Sequence, residues 1–150
     1  MADGRSADGV LDTPVGIPAG FAPRRAGGPF LEPIGPIWMR PGEGGSTFGI
    51  RLEHRHCNNS QVAHGGMLAT FADLVLGIGG LEQAQVQGGF VTISLVSDYL
   101  APAPIGTWLE CRPILLRRTT RLMFVEGRFE ADGTAVLRAS GVFSVARPKG

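Results

Sequence analysis

The run Met67–Leu81 constrains this chain more than any other segment. Its only polar side chains are Thr70 and Asp73, while Met67, Leu68, Phe71, Leu74, Val75, Leu76, Ile78 and Leu81 fall on every side of a helical wheel. A helix that is apolar all round, in a soluble protein, has to be wrapped by the rest of its fold. The run is interrupted by an acid and three glycines and falls short of the ~20 apolar residues of a membrane span, so no transmembrane segment is expected. Gly65-Gly66 opens the helix, and Gly79-Gly80 stands where a C-terminal cap would fall.

What wraps the helix is legible in the period of the flanking sequence. Ile34–Met39 and Ser46–Glu53 read as short strands joined by the hairpin loop Gly42-Glu43-Gly44-Gly45. Beyond the helix, four longer segments alternate with period two. Gly89–Leu100 places Val91, Ile93, Leu95 and Tyr99 on one face, and Thr107–Arg118 places Leu109, Cys111 and Leu115 on one face. Arg121–Glu130 and Thr134–Ala146 follow, linked by the turn signal Asp132-Gly133. Pro113 cannot donate to a ladder, so it marks a sheet edge or a bulge. The expected plan is α+β: an antiparallel sheet of about five to six strands curled around one long buried helix. A sheet that covers a single helix leaves edges to be covered, which predicts an oligomer.

At 150 residues the chain is one domain's worth. Its 23 glycines and 11 prolines are concentrated before residue 46, so residues 1–16 are expected to be a flexible segment, 17–147 the single domain and 148–150 a tail. A net charge of +1 carries no nucleic-acid footprint. The start of the chain lacks the basic and apolar regions of a signal peptide. Cys57 and Cys111, with no CxxC pair, indicate neither a disulfide framework nor a sulfur-ligated zinc site, so a cytoplasmic location is expected.

The chemistry is concentrated in Asn58–Asp73, NNSQVAHGGMLATFAD. The N–H groups of Gly65 and Gly66 belong to the unpaired donors of the helix's first turn and can face an oxyanion, reinforced by the helix dipole. The plainer alternative is that two glycines let the helix enter close against the sheet. Asp73 favours the chemical reading, because a carboxylate in an apolar helix costs several kcal/mol unless it is paired, hydrogen-bonded or neutral. It stands either as a structural acid bonded to Thr70 or a loop amide, or as a nucleophile or general base at a site that admits water. Eight residues of helix separate Gly65 from Asp73 by ~12 Å, too far for both to touch one carbonyl group. A two-fold dimer brings the glycine amide of one subunit to the aspartate of the other.

The pattern Asn58, His64-Gly65-Gly66, Asp73, Thr92 and Asp98-Tyr99-Leu100-Ala101-Pro102-Ala103 to Gly106, closing on Asp132-Gly133 and Ala139–Phe143, resembles the hotdog-fold acyl-CoA thioesterases of the phenylacetate-degradation type, in the 4-hydroxybenzoyl-CoA thioesterase superfamily. The resemblance spans about Gly35 to Ala146. It implies a hotdog fold and hydrolysis of an acyl thioester to acid and thiol, with no metal or organic cofactor, coenzyme A being part of the substrate. By the same resemblance, Gly65 polarises the carbonyl, with Gly66 beside it, and Asp73 is nucleophile or base. Asn58 helps place the nucleophile, His64 lies near the sulfur and Thr92 orients water. The implied assembly is a homodimer or a dimer of dimers. Where the family commonly has Gly three residues before the His, this chain has Gln61.

Other candidates are weaker. His54-x-His56 alternates onto one strand face and with His64 could make a three-histidine metal site, but solvent-facing histidines beside Arg51, Glu53 and Arg55 are the simpler account. Cys57 has no helix start beside it to lower its pKa. Arg117, Arg118 and Arg121 form a solvated strand turn, and Arg118 and Arg121 are candidates for the coenzyme A phosphates. The alternative functions on the same fold are a dehydratase or hydratase acting on hydroxyacyl thioesters and a non-catalytic acyl-CoA-binding protein.

Overall fold

The structure is a computed structural model and describes residues 16–25 and 27–146, so most of the expected flexible segment and the expected tail lie outside the described residues. One helix, α1 (Gly65–Ala84), runs through the centre, with Met67, Leu68, Phe71, Leu74, Val75 and Leu76 among its buried residues. It is long and apolar enough to pass for a membrane span by composition, with a mean hydropathy of 1.2, yet 56% of that window is packed inside the fold. It is also longer than the run Met67–Leu81 at both ends. His64 caps its start, and Gln85, at φ 55, ψ 42, closes its end. Gly79 and Gly80 do not cap it. They lie inside the helix, where a Cβ would stand 2.6 Å from Pro113 and 2.8 Å from Val125, so their bareness lets the sheet come close.

Eight strands surround the helix: β1 (Ala22–Arg24), β2 (Ile37–Arg40), β3 (Thr47–Arg51), β4 (Phe90–Tyr99), β5 (Trp108–Cys111), β6 (Ile114–Arg118), β7 (Leu122–Ala131) and β8 (Thr134–Val145). They form one antiparallel sheet in the order β1-β2-β3-β5-β7-β8-β4, with β6 also on β7. This is the hotdog arrangement, with more strands than the five or six expected. Part of the excess comes from Pro113. β5 and β6 meet β7 in a single register, Leu109 opposite Ala131 and Ile114 opposite Glu126, so the expected strand Thr107–Arg118 exists but is broken at the proline. The other addition is β1, a three-residue edge strand carrying Pro23 and lacking the apolar alternation that marks a strand.

The β7–β8 hairpin turns at Asp132 and Gly133, both at positive φ (46° and 87°), as the two-residue turn requires. Phe48, Phe71, Phe129, Phe143, Leu109, Met123 and Leu137 fill the space between sheet and helix without measurable exposure. A second cluster, Phe21, Trp38 and Trp108, fastens the N-terminal segment to the sheet, with the Phe21 and Trp108 rings edge to face at 5.0 Å.

β4 departs from its expected pattern. Val91 and Ile93, placed by alternation on one face with Leu95 and Tyr99, are 62% and 58% exposed, whereas Leu95 packs against the core. A bulge between Thr92 and Ser94 shifts the register against β8, so the alternation changes sides there.

Candidate active site

Asp73 lies on the half-buried side of α1, and its Oδ1 accepts a 2.6 Å hydrogen bond from the Thr92 hydroxyl of β4. The structural alternative, a bond to Thr70, is not made, since the Thr70 hydroxyl donates to the Gly66 carbonyl at 2.8 Å. A cavity of about 460 Å³ opens beside the carboxylate, lined also by Thr70, Leu74, Phe90, Phe30 and Leu31. The acid therefore has one fixed oxygen and open space beside it, which suits a group that must meet a substrate.

At the helix start the two glycines part company. His64 Nδ1 accepts the Gly66 N–H at 2.9 Å, so that donor is already used. The Gly65 N–H, one turn short of any intrahelical acceptor, has no acceptor among the described residues. The arrangement also fixes the imidazole, because a ring nitrogen that accepts cannot carry the proton, which leaves His64 Nε2–H as the outward donor. Tyr99, not singled out from the sequence as a site residue, donates its hydroxyl to the Gly65 carbonyl at 2.7 Å. Thr92 and Tyr99 thus hold α1 from β4, one at Asp73 and one at Gly65.

Asn58 shapes its own loop. Its Oδ1 accepts the N–H of Ser60 at 2.9 Å and of Val62 at 3.4 Å, and its carbonyl accepts from Gln61. Gln61, standing where the family commonly has Gly, adopts φ 57, a left-handed conformation that glycine enters without cost. The residue differs while the backbone shape that glycine favours is kept.

The three histidines do not converge. His54 and His56 sit on a 3-10 turn, His54–His56, rather than on a strand. His56 is not solvent-facing: it is 2% exposed, with Nδ1 accepting the Glu53 N–H at 2.9 Å and Nε2 paired with the Ile34 carbonyl at 2.7 Å. Burial holds its pKa below the ordinary histidine value. Its own carbonyl accepts the His64 N–H at 2.9 Å, so this buried ring braces the loop that presents His64. Burial pushes the Cys57 thiol up, away from the thiolate a nucleophile needs, and does the same more strongly to Cys111.

Arg118 Nη1 donates to the Ala84 carbonyl at 3.2 Å, at the negative end of α1, and Arg121 is exposed in the adjoining turn. Nineteen residues of helix, ~28 Å, separate Ala84 from Gly65, so one protomer does not bring these arginines to the helix start.

The segment that carries the helix start, the central helix and most of the sheet matches a known family. A model of the "Thioesterase superfamily" fits residues 60–137. A Pseudomonas aeruginosa protein, "Putative esterase PA0474", is 32% identical over 128 residues, 85% of this chain and 96% of its own length. The chain belongs to the thioesterase superfamily. Solved structures agree on the fold of this superfamily member. A Streptococcus pneumoniae thioesterase protein with coenzyme A superposes with a TM-score of 0.67 at 16% identity, covering 76% of this chain and 91% of that one. The E. coli PaaI protein of the phenylacetic acid degradation operon superposes with a TM-score of 0.67 at 17% identity, covering 75% and 81%. The family segment includes Gln61, Gly65, Asp73, Thr92 and Tyr99. Asn58 and the N-terminal strap, described over residues 16–25 and 27–36, fall outside it.

Proposed function

We propose that this protein hydrolyses acyl-CoA thioesters in a homodimer, each site joining Asp73 of one subunit to the Gly65 N–H of the other. The observation that carries the reading is the Asp73 carboxylate, bonded to Thr92 and open to a cavity on an otherwise apolar helix. The superfamily supplies thioester hydrolysis as the reaction class. The coenzyme A in the pneumococcal structure supports CoA as the thiol carrier.

The chemistry follows from the parts. The Gly65 N–H donates to the thioester carbonyl oxygen and stabilises the negative charge that develops there. Asp73 either attacks the carbonyl carbon, expelling the CoA thiolate to leave an acyl–aspartyl anhydride that water cleaves, or takes a proton from a water that attacks directly. Thr92 holds one carboxylate oxygen and leaves the other for this step. His64 Nε2–H is the available donor to the departing sulfur. Because ~12 Å of helix separates Gly65 from Asp73 within a chain, the two meet only across subunits. β4 supports that assembly: it ends the sheet, and Val91, Ile93 and Val96 are more than half exposed along it. An unpaired apolar edge strand is a ready template for a second copy.

Replacing Asp73 by Asn keeps the shape and the Thr92 contact while removing the charge. Free-thiol release from a panel of acyl-CoA substrates is expected to fall about 10²–10⁴-fold in kcat, with an unchanged thermal unfolding midpoint. Full turnover by Asp73→Asn would refute the catalytic role, and tight acyl-CoA binding by wild type without turnover would make the protein a binding module instead.

A further inference from the structure

The cavity at Asp73 does not stop there. It shares Gly27, Leu74 and Phe90 with a larger one of about 900 Å³ that continues toward the C-terminal end of α1. Asp73, Leu74, Ile78 and Leu81 fall within one side of the helix and form its floor, and Met39 adds to the wall. The opposite wall beside Asp73 is Phe30 and Leu31 of the strap, held as a 3-10 turn, Pro29–Leu31, that follows Gly28. Phe30 is 72% exposed, the highest value among the exposed large apolar side chains of the described residues. The tip of the Phe90 ring can reach the helix because Gly77 has no side chain: a Cβ there would be 2.2 Å from the ring. Arg24 and Arg25 also line the larger cavity, and its far end is polar, with the Ser46 hydroxyl donating to Glu82 at 2.8 Å.

We propose that this trough is the acyl site and that it takes a straight aliphatic chain of medium length, with the strap residue Phe30 walling the end nearest the carboxylate. The proposal rests on the thioesterase reading above. An extended chain advances roughly 1.2 Å per bond, and Asp73 to Leu81 spans ~12 Å along the helix, so about ten carbons fill it before the polar end is reached. The amides of a pantetheine arm would find no partners along Leu74, Ile78 and Leu81, and an aryl group would fill only the part nearest Asp73. The floor residues Leu74, Ile78 and Leu81 lie within the family segment 60–137, whereas Phe30 lies outside it.

The test is a chain-length profile of kcat/KM with acetyl-, butyryl-, hexanoyl-, octanoyl-, decanoyl-, dodecanoyl- and benzoyl-CoA. For wild type, kcat/KM is expected to rise about fourfold per methylene up to roughly ten carbons and then level off. Ile78→Trp, which fills the trough midway, is expected to lower the decanoyl-to-butyryl ratio at least tenfold. Leu81→Phe, a smaller change at the far end, is run beside Ile78→Trp with thermal unfolding of both, so a misfolded variant is recognised and the second still reports. A flat profile, a preference for acetyl- or benzoyl-CoA, or equal losses at every length in folded variants overturns the acyl trough and leaves the thioesterase reading standing. No hydrolysis of any substrate by wild type overturns both.

Discussion

Gly65 and Gly66 are adjacent and chemically identical, yet His64 uses the N–H of one and leaves that of the other, so the donor can be deleted by itself. Gly65 is the first residue of α1, the position where proline is best tolerated, and His64 before it has φ −63, ψ 134, which a following proline accepts. Gly65→Pro should therefore remove one N–H and little else, lowering kcat about 10²–10³-fold while circular dichroism and the unfolding midpoint stay close to wild type. A loss of helix content instead would show the glycine to be a packing residue. At this scale the sequence was informative about charge and poor about partners. Asp73 was legible because an acid in an apolar run always needs a reason. The choice between Gly65 and Gly66 was not, since it depends on how one imidazole turns. His56 was misread because its neighbours suggested a strand, whereas the chain turns there and drives the ring inward onto Ile34.

Among the elements, β4 shows how a small irregularity can assemble a site. Thr92 and Tyr99 are seven residues apart, and in a regular strand an odd separation points side chains to opposite faces. Both nevertheless reach α1, because the bulge between Thr92 and Ser94 reverses the alternation once. Deleting Ile93 should restore regular pairing with β8 and turn one of the two away from the helix. The expected result is at least a tenfold loss of kcat together with a lowered unfolding midpoint, measured by thiol release and thermal melting. Wild-type values for both would mean that the bulge is incidental. Nothing in Val91-Thr92-Ile93-Ser94-Leu95 announces this, because the segment alternates cleanly and the bulge exists only relative to β8. Pro113 is the contrast: a missing N–H is a local fact, so an edge or a bulge was expected there, and the strand is instead interrupted, with β5 and β6 as its two halves.

For the whole molecule, a site shared between subunits has an arithmetical signature. Asp73→Asn and Gly65→Pro each disable both sites of their own homodimer, but a mixed dimer contains one site with both groups intact. Equal mixing after dissociation and reassociation should then restore about a quarter of wild-type activity, since half the dimers are mixed and each has one working site of two. No recovery from two folded variants would place both groups in one chain. The wrapped helix could be read from periodicity, but the strap across the acyl trough could not, because it has no period at all. The sheet also has ends, and their inequality matters. β4 is ten residues long, whereas at the other end β1 has three, one of them Pro23, and β6 presents Arg117 and Arg118 beside an irregularity at Leu116. If two copies join through β4, only the blunted margins remain outward. Growth then stops at a closed pair or a pair of pairs, and a sheet that ends in a ten-residue open strand is kept from extending into a fibre.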